Sequence, residues 1–176
     1  SVLQGIPAII DIFKKPLPVD ANLTPEALAN IRKAIQQPQD LLSFLDGLPE
    51  TENKKLRSIF EKGQKEEARA AKIGEAIRQG KEQEAQQYYQ ATLNAIEFYK
   101  LGLTNNPRTS ERCALLNLIG TACDKISRLN EAIIAWEEVS RLSEEMVKND
   151  NMEIVTEGII FSAIASGNLG LVYRIL

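Results

Sequence analysis

The chain has 176 residues, 44% hydrophobic, 6% aromatic and 26% charged, with a net charge of −3 and a pI near 5.2. That length holds one helical domain or a short repeat array, since domains usually have about 100–200 residues, and the acidic balance lacks the basic face a nucleic-acid binder needs. Histidine is absent, which removes His-assisted nucleophiles and His-ligated metals from consideration.

In chain order, Val2, Leu3, Ile6, Ile9, Ile10 and Phe13 recur at helical spacing, with Pro7 starting or interrupting that helix. The run lacks the basic n-region of a signal peptide. Lys14-Lys15-Pro16-Leu17-Pro18 is an extended connector. Thr24-Pro25-Glu26 then reads as a helix start, with Thr as N-cap, Pro at the first helical position and Glu in the first turn. That helix carries Leu28, Ile31 and Ile35 and stops before Pro38. A shorter one carries Leu41, Leu42, Phe44 and Leu45 and is closed by Gly47 and Pro49.

From Glu52 to Asn106 there is no proline. Leu56, Ile59, Phe60, Gly63, Ala70, Ile73 and Ile77 form one apolar stripe on a helix whose other face is rich in Lys, Arg and Glu. Gly80 ends it. A second helix follows through Ala85, Tyr88, Tyr89, Thr92, Ile96 and Tyr99 to Gly102, and Asn105-Asn106-Pro107 is a turn. Pro107 opens a third helix through Leu115, Leu116, Ile119, Cys123 and Ile126. Ser127–Asn130 turns into a fourth with Ala132, Trp136, Val139, Leu142 and Met146. Asn149-Asp150-Asn151 turns again, and a fifth runs from Ile154 to Leu176.

No segment alternates with a strand period, so the fold class is all-α. The mixed charge run Lys54–Glu84 suits a packed hairpin better than a coiled coil, because Gly63, Gly74 and Gly80 interrupt it. Glu131–Glu157 holds eight acidic and two basic residues; without a D-x-D-x-D-G loop it reads as a solvated helix face. No stretch reaches the about 20 apolar residues that span a bilayer. Cys113 and Cys123, ten positions apart on one helix, lie about 15 Å apart along its axis and cannot bond within it. They read as buried apolar side chains in a reducing compartment, and the location expected is cytoplasmic. The chain starts at Ser1 and stops inside an apolar helical pattern, so both ends read as cuts in a longer protein.

One joint between helices is distinctive. Leu116-x-x-Ile119-Gly120-x-x-Cys123 is followed by Ala132-x-x-x-Trp136-x-x-Val139. Small Gly120 and Ala132 let two helices approach, and large Trp136 fills the space beside them. These residues resemble the glycine, alanine and aromatic of the tetratricopeptide repeat, whose consensus runs W-x-x-L-G-x-x-Y and then A-x-x-x-F. Gly80, Ala85 and Tyr89 resemble the same unit one hairpin earlier, its first-helix glycine replaced by Ile73 or displaced to Gly74. Asn168-Leu169-Gly170-x-x-Tyr173 resembles the start of a third unit. Ala85 and Ala132 are 47 positions apart, and Gly120 and Gly170 are 50, against about 34 in the ordinary repeat, so the resemblance is to an extended variant.

The resemblance implies stacked antiparallel hairpins over residues 51–176 in a right-handed array, cut before the third unit is complete, with residues 1–50 as an N-terminal helical cap and connector. It also implies a protein-binding scaffold or adaptor rather than an enzyme. First helices of successive repeats would line a groove for a peptide or helix, with Asn117, Thr121, Asp124 and Lys125 from the middle unit, Arg78 from the first and Arg174 from the third. These donors and acceptors suit a peptide backbone or terminal carboxylate, although solvated polar residues would look the same. Tyr88 and Tyr89 offer a ligand shelf or, alternatively, one core ring and one ring capping the seam.

No G-x-x-x-x-G-K-S/T, G-x-G-x-x-G or G-x-S-x-G occurs, and no catalytic residue, metal or cofactor is implied. The partner expected is another protein or peptide, with no nucleic acid and little reason for membrane contact. Two further readings stand beside this one: self-association into a homo-oligomer, and a peripheral membrane or signalling role through residues 2–13. The last helix carries more apolar surface than one neighbouring hairpin can cover, an excess that a second chain or residues 2–13 would hide.

Overall fold

The computed structural model describes residues 53–176. The segment expected to form an N-terminal cap at 1–50, including residues 2–13, lies outside them. The described chain is all-helical: α1 Lys54–Arg78, α2 Ala85–Leu103, α3 Thr109–Lys125, α4 Leu129–Val147 and α5 Met152–Ile175, with a 3-10 turn at Glu82–Glu84 before α2. Each helix packs on the next, and α5 also reaches back to α3.

The breaks follow local chemistry. Three of the four connections contain a residue in the left-handed region: Gly80 at φ 99°, Asn106 at φ 50° and Ser127 at φ 64°. Glycine and asparagine take that region at small cost; serine does not. Asn53 caps α1, its Oδ1 accepting from the Leu56 N–H at 3.1 Å while its Nδ2 donates to the Asn105 carbonyl at 2.9 Å. One side chain thus starts α1 and fastens it to the α2–α3 turn. In α3 the helix begins at Thr109, two residues after the expected Pro107, and Glu111 folds back to accept the Arg108 backbone N–H at 3.0 Å. Asn151 caps α5 by accepting from the Glu153 N–H at 2.9 Å.

The core runs through the middle of the stack. Leu56, Ile96, Tyr99, Leu115, Leu116, Leu118, Ile119, Val139 and Leu142 are almost wholly buried, and burial of such side chains contributes about 1.5–3 kcal/mol each. The α1 stripe is buried as its spacing predicts at Leu56, Ile59, Gly63, Ala70, Ile73 and Ile77, whereas Phe60 is only half-buried. Gly63 and Gly74 do not interrupt α1. At Gly63 the ring of Tyr99 takes the space of a side chain, since a Cβ built there would collide with its Cε1.

The last helix is different. It buries Gly158, Phe161, Ala165 and Val172, yet Met152, Ile159, Leu171, Tyr173 and Ile175 are all more than half exposed. By length and composition α5 is also apolar enough to cross a bilayer, which corrects the expectation that no segment is. Its serines, glycines and asparagine break any continuous apolar run, but few charges offset the average. Only 11% of that stretch is buried, unlike the core helix of a soluble bundle, and one such helix by itself assigns no location.

Candidate interaction surface

Two joints set the positions of the polar side chains. In the second hairpin, Gly120 on α3 faces Trp136 on α4: a Cβ on Gly120 would lie 2.6 Å from the indole Nε1. The indole N–H donates to Oδ1 of Asn117 at 3.1 Å. The same oxygen accepts from Nδ2 of Asn168 on α5 at 3.3 Å, so one buried amide ties three helices together.

The first hairpin repeats the device with other residues. Its ring is Tyr99, late in α2, seated on Gly63. Tyr89, expected as the aromatic of this unit, is buried but is not the residue on that glycine. The Tyr99 hydroxyl donates to Oε2 of Glu67 at 2.5 Å and accepts from Nε2 of Gln64 at 2.9 Å. Burial and the Glu67 charge both push the Tyr99 phenol well above its ordinary value. Glu67 also faces α3, where Lys125 Nζ approaches its Oε1 at 3.9 Å.

The six residues expected to face a groove separate on this framework. Asn117, Thr121, Asp124 and Lys125 recur at helical spacing on one face of α3. Asn117 is fully buried, which corrects its assignment: beneath Trp136 and Asn168 it is part of the interior and presents nothing to a ligand. Thr121 and Asp124 are half-buried, and Thr121 Oγ1 donates back to the Asn117 carbonyl at 3.0 Å. Lys125 is half-buried against Glu67.

Arg78 is exposed and paired with Glu75 on its own helix. It lies eleven residues past Glu67, about 16 Å further along α1, well away from Lys125. Arg174 is exposed on α5, four and seven residues from Gly170 and Gly167 and so on their face. It stands away from Asn168, the α5 residue bonded to α3. The compact set is therefore Thr121, Asp124 and Lys125, with Glu67 and Gln64 from α1. The last two escape sequence reading because they sit in a mixed charge run that resembles any solvated helix.

Tyr88 and Tyr89 are both buried, which settles the shelf against an exposed ligand platform. Burial and the nearby Glu67 charge push the Tyr88 phenol up to about 12. Cys113 and Cys123 are free and buried, and burial pushes each thiol up to about 12. Among the described residues no group of three or more Cys, Asp or Glu is placed to hold a metal ion. No protein-family model, curated protein or solved structure matches the chain.

Proposed function

We propose that the chain is a protein–protein interaction module, a tetratricopeptide-like scaffold whose first helices α1, α3 and α5 receive a peptide or helical segment from another protein. The observation that carries this reading is the lateral link between alternate helices. Glu67 reaches Lys125 from α1 to α3, and Asn117 bonds Asn168 from α3 to α5. On this reading these links leave a polar strip along one side of the stack. Asp124, Lys125 and Glu67 supply both signs of charge there and Thr121 a hydroxyl, groups that pair with backbone amides and terminal carboxylates. Recognition on such a strip involves no covalent chemistry.

The test is selection of peptides from a random displayed library on the full 176-residue chain, followed by titration of a labelled winner. Saturable binding is expected, with affinity falling about tenfold or more, near 1.4 kcal/mol, in Thr121→Arg and Asp124→Lys at unchanged melting temperature. Failure to select any peptide, or equal affinity in both variants, would overturn the reading.

A further inference from the structure

The outward face of α5 is patterned along its length. Met152, Ile159, Ala163, Gly167, Gly170 and Arg174 share it at helical spacing. Its first half is large, with Met152 72% and Ile159 57% exposed. Its second half is bare: a Cβ on Gly167 or on Gly170 would meet nothing within 4 Å. A glycine inside a helix costs about 1 kcal/mol against alanine. At three other helical glycines that cost coincides with close packing: Gly63 takes Tyr99, Gly120 takes Trp136, and Gly158 takes the Met146 Cβ at 2.8 Å. On α5 the two notches are open, and the exposed side chain of Ile159 stands about two to three turns away on the same face.

We propose that this face is a homodimer interface in which two copies of α5 cross antiparallel about Ala163. A two-fold axis there brings Ile159 of each copy opposite Gly167 of the other, large onto small twice over, because an isologous contact repeats every pairing. It also brings Glu153 to within one residue, about 1.5 Å, of the level of Arg174. Both are exposed, at opposite ends of the helix, so antiparallel crossing pairs acid with base at each end. Parallel crossing would place like charges together and large side chains on large. Size and charge therefore select the same partner and the same direction: a second copy of this chain, reversed. The face lies away from the α1/α3 strip, so this proposal and the peptide-binding reading stand or fail separately.

Sedimentation equilibrium of the full 176-residue chain over a concentration series tests the proposal. The apparent mass is expected to double as concentration rises. Gly167→Leu, which has open space in the isolated chain and a better helix former, should remain monomeric with undiminished helicity by circular dichroism. Glu153→Arg and Arg174→Glu should each weaken the dimer. An equimolar mixture of those two variants should associate again, since every cross-pair is then opposite in sign. A monomer at all concentrations, a dimer indifferent to all three substitutions, or a mixture that stays apart would overturn the proposal. So would a monomer that floats with phosphatidylcholine vesicles, which would assign the face to a bilayer.

Discussion

Trp136 occupies the space that a side chain on Gly120 would need, its Nε1 2.6 Å and its Cε2 2.8 Å from a Cβ built on that glycine. The contact is steric and polar at once, because the same Nε1 donates to Asn117 one turn earlier on α3. The indole cannot slide along α3 without losing that hydrogen bond, so the glycine sets how close the helices come and the amide sets their register.

A methyl group is already too much at this joint. Gly120→Ala gains helix propensity, about 1 kcal/mol, but must displace a buried indole, and overpacking costs about 1–3 kcal/mol. The net expected is a lower urea midpoint. Trp136→Ala should cost about 3–5 kcal/mol, and native Trp136 fluorescence should be blue-shifted as befits a ring only 2% exposed. Asn117→Ala should also destabilise, by about 1–3 kcal/mol for the indole donor left unpaired. A Gly120→Ala protein with an unchanged midpoint, or emission at the wavelength of a solvated indole, would disprove the joint.

The junction of α1, α2 and α3 separates two interactions by magnitude. The fully buried Tyr99 hydroxyl bonds the mostly buried Glu67 carboxylate at 2.5 Å, and hydrogen bonds to charged groups contribute about 1.5–3 kcal/mol. Lys125 lies 3.9 Å from the other oxygen, with its side chain and that of Glu67 20% and 14% exposed; a pair at that distance with access to water contributes about 0–1 kcal/mol. Tyr99→Phe is therefore expected to destabilise more than Lys125→Ala. Denaturation of both variants checks the order, and the reverse order would make the ion pair the real fastening between α1 and α3.

The helices were legible because their punctuation is local. Gly80, Asn105-Asn106-Pro107, Ser127 and Asn149-Asp150-Asn151 mark the turns within the sequence itself, and apolar residues at spacings of three and four mark the buried faces. Trp136 and Gly120 were legible as parts of one joint because a short turn joins their helices. Gly63 and Tyr99 were not: 36 positions separate them, and only the offset between α1 and α2 decides which ring meets which glycine. The candidate site suffered from the same cause. Thr121, Asp124 and Lys125 share a face by periodicity alone, but Asn117 on that face is covered by Asn168, from a helix about fifty residues on. Burial imposed by a distant helix leaves no mark on local polarity.

Two turn residues predict opposite responses to opposite changes. Ser127 sits at φ 64° with its Oγ buried and without a hydrogen-bond partner. Left-handed backbone costs a non-glycine residue about 1–2 kcal/mol, and an unsatisfied buried hydroxyl about 1–3 kcal/mol. Ser127→Gly relieves both against an entropic loss of about 0.5–1 kcal/mol, so a gain of about 1 kcal/mol is expected. Gly80, at φ 99° with open space around it, should respond the other way. Gly80→Ala has no clash, yet the backbone strain should cost about 1–3 kcal/mol. Thermal melts of the two variants would show shifts of opposite sign. A stabilised Gly80→Ala would mean that the α1–α2 turn relaxes without penalty.

Alkaline pH should unfold the protein through its buried neutral acids. Cys113 and Cys123 are pushed from 9.0 up to about 12, Tyr88 from 10.0 to about 12, and Tyr99 higher still, in each case chiefly because burial penalises the charged form. Every folded value lies above its unfolded value, which fixes the sign. Below 9 both states hold these protons, and their contribution to stability is fully present. Above 9 the unfolded chain releases thiol protons that the folded chain retains, and above 10 it releases phenolic protons as well. Unfolding is then favoured progressively as pH rises toward 12. The urea midpoint should accordingly decline across that window. Tyrosinate absorbance from Tyr88 and Tyr99 should appear only together with the loss of helical circular dichroism, and thiol reagents at neutral pH should modify Cys113 and Cys123 no faster than the chain unfolds. Tyr88→Phe should flatten the decline above 10 without touching its onset near 9, where only the thiols titrate. A midpoint constant from 9 to 12, or full tyrosine ionisation in a chain that keeps its helicity, would show that these groups reach water in the folded state.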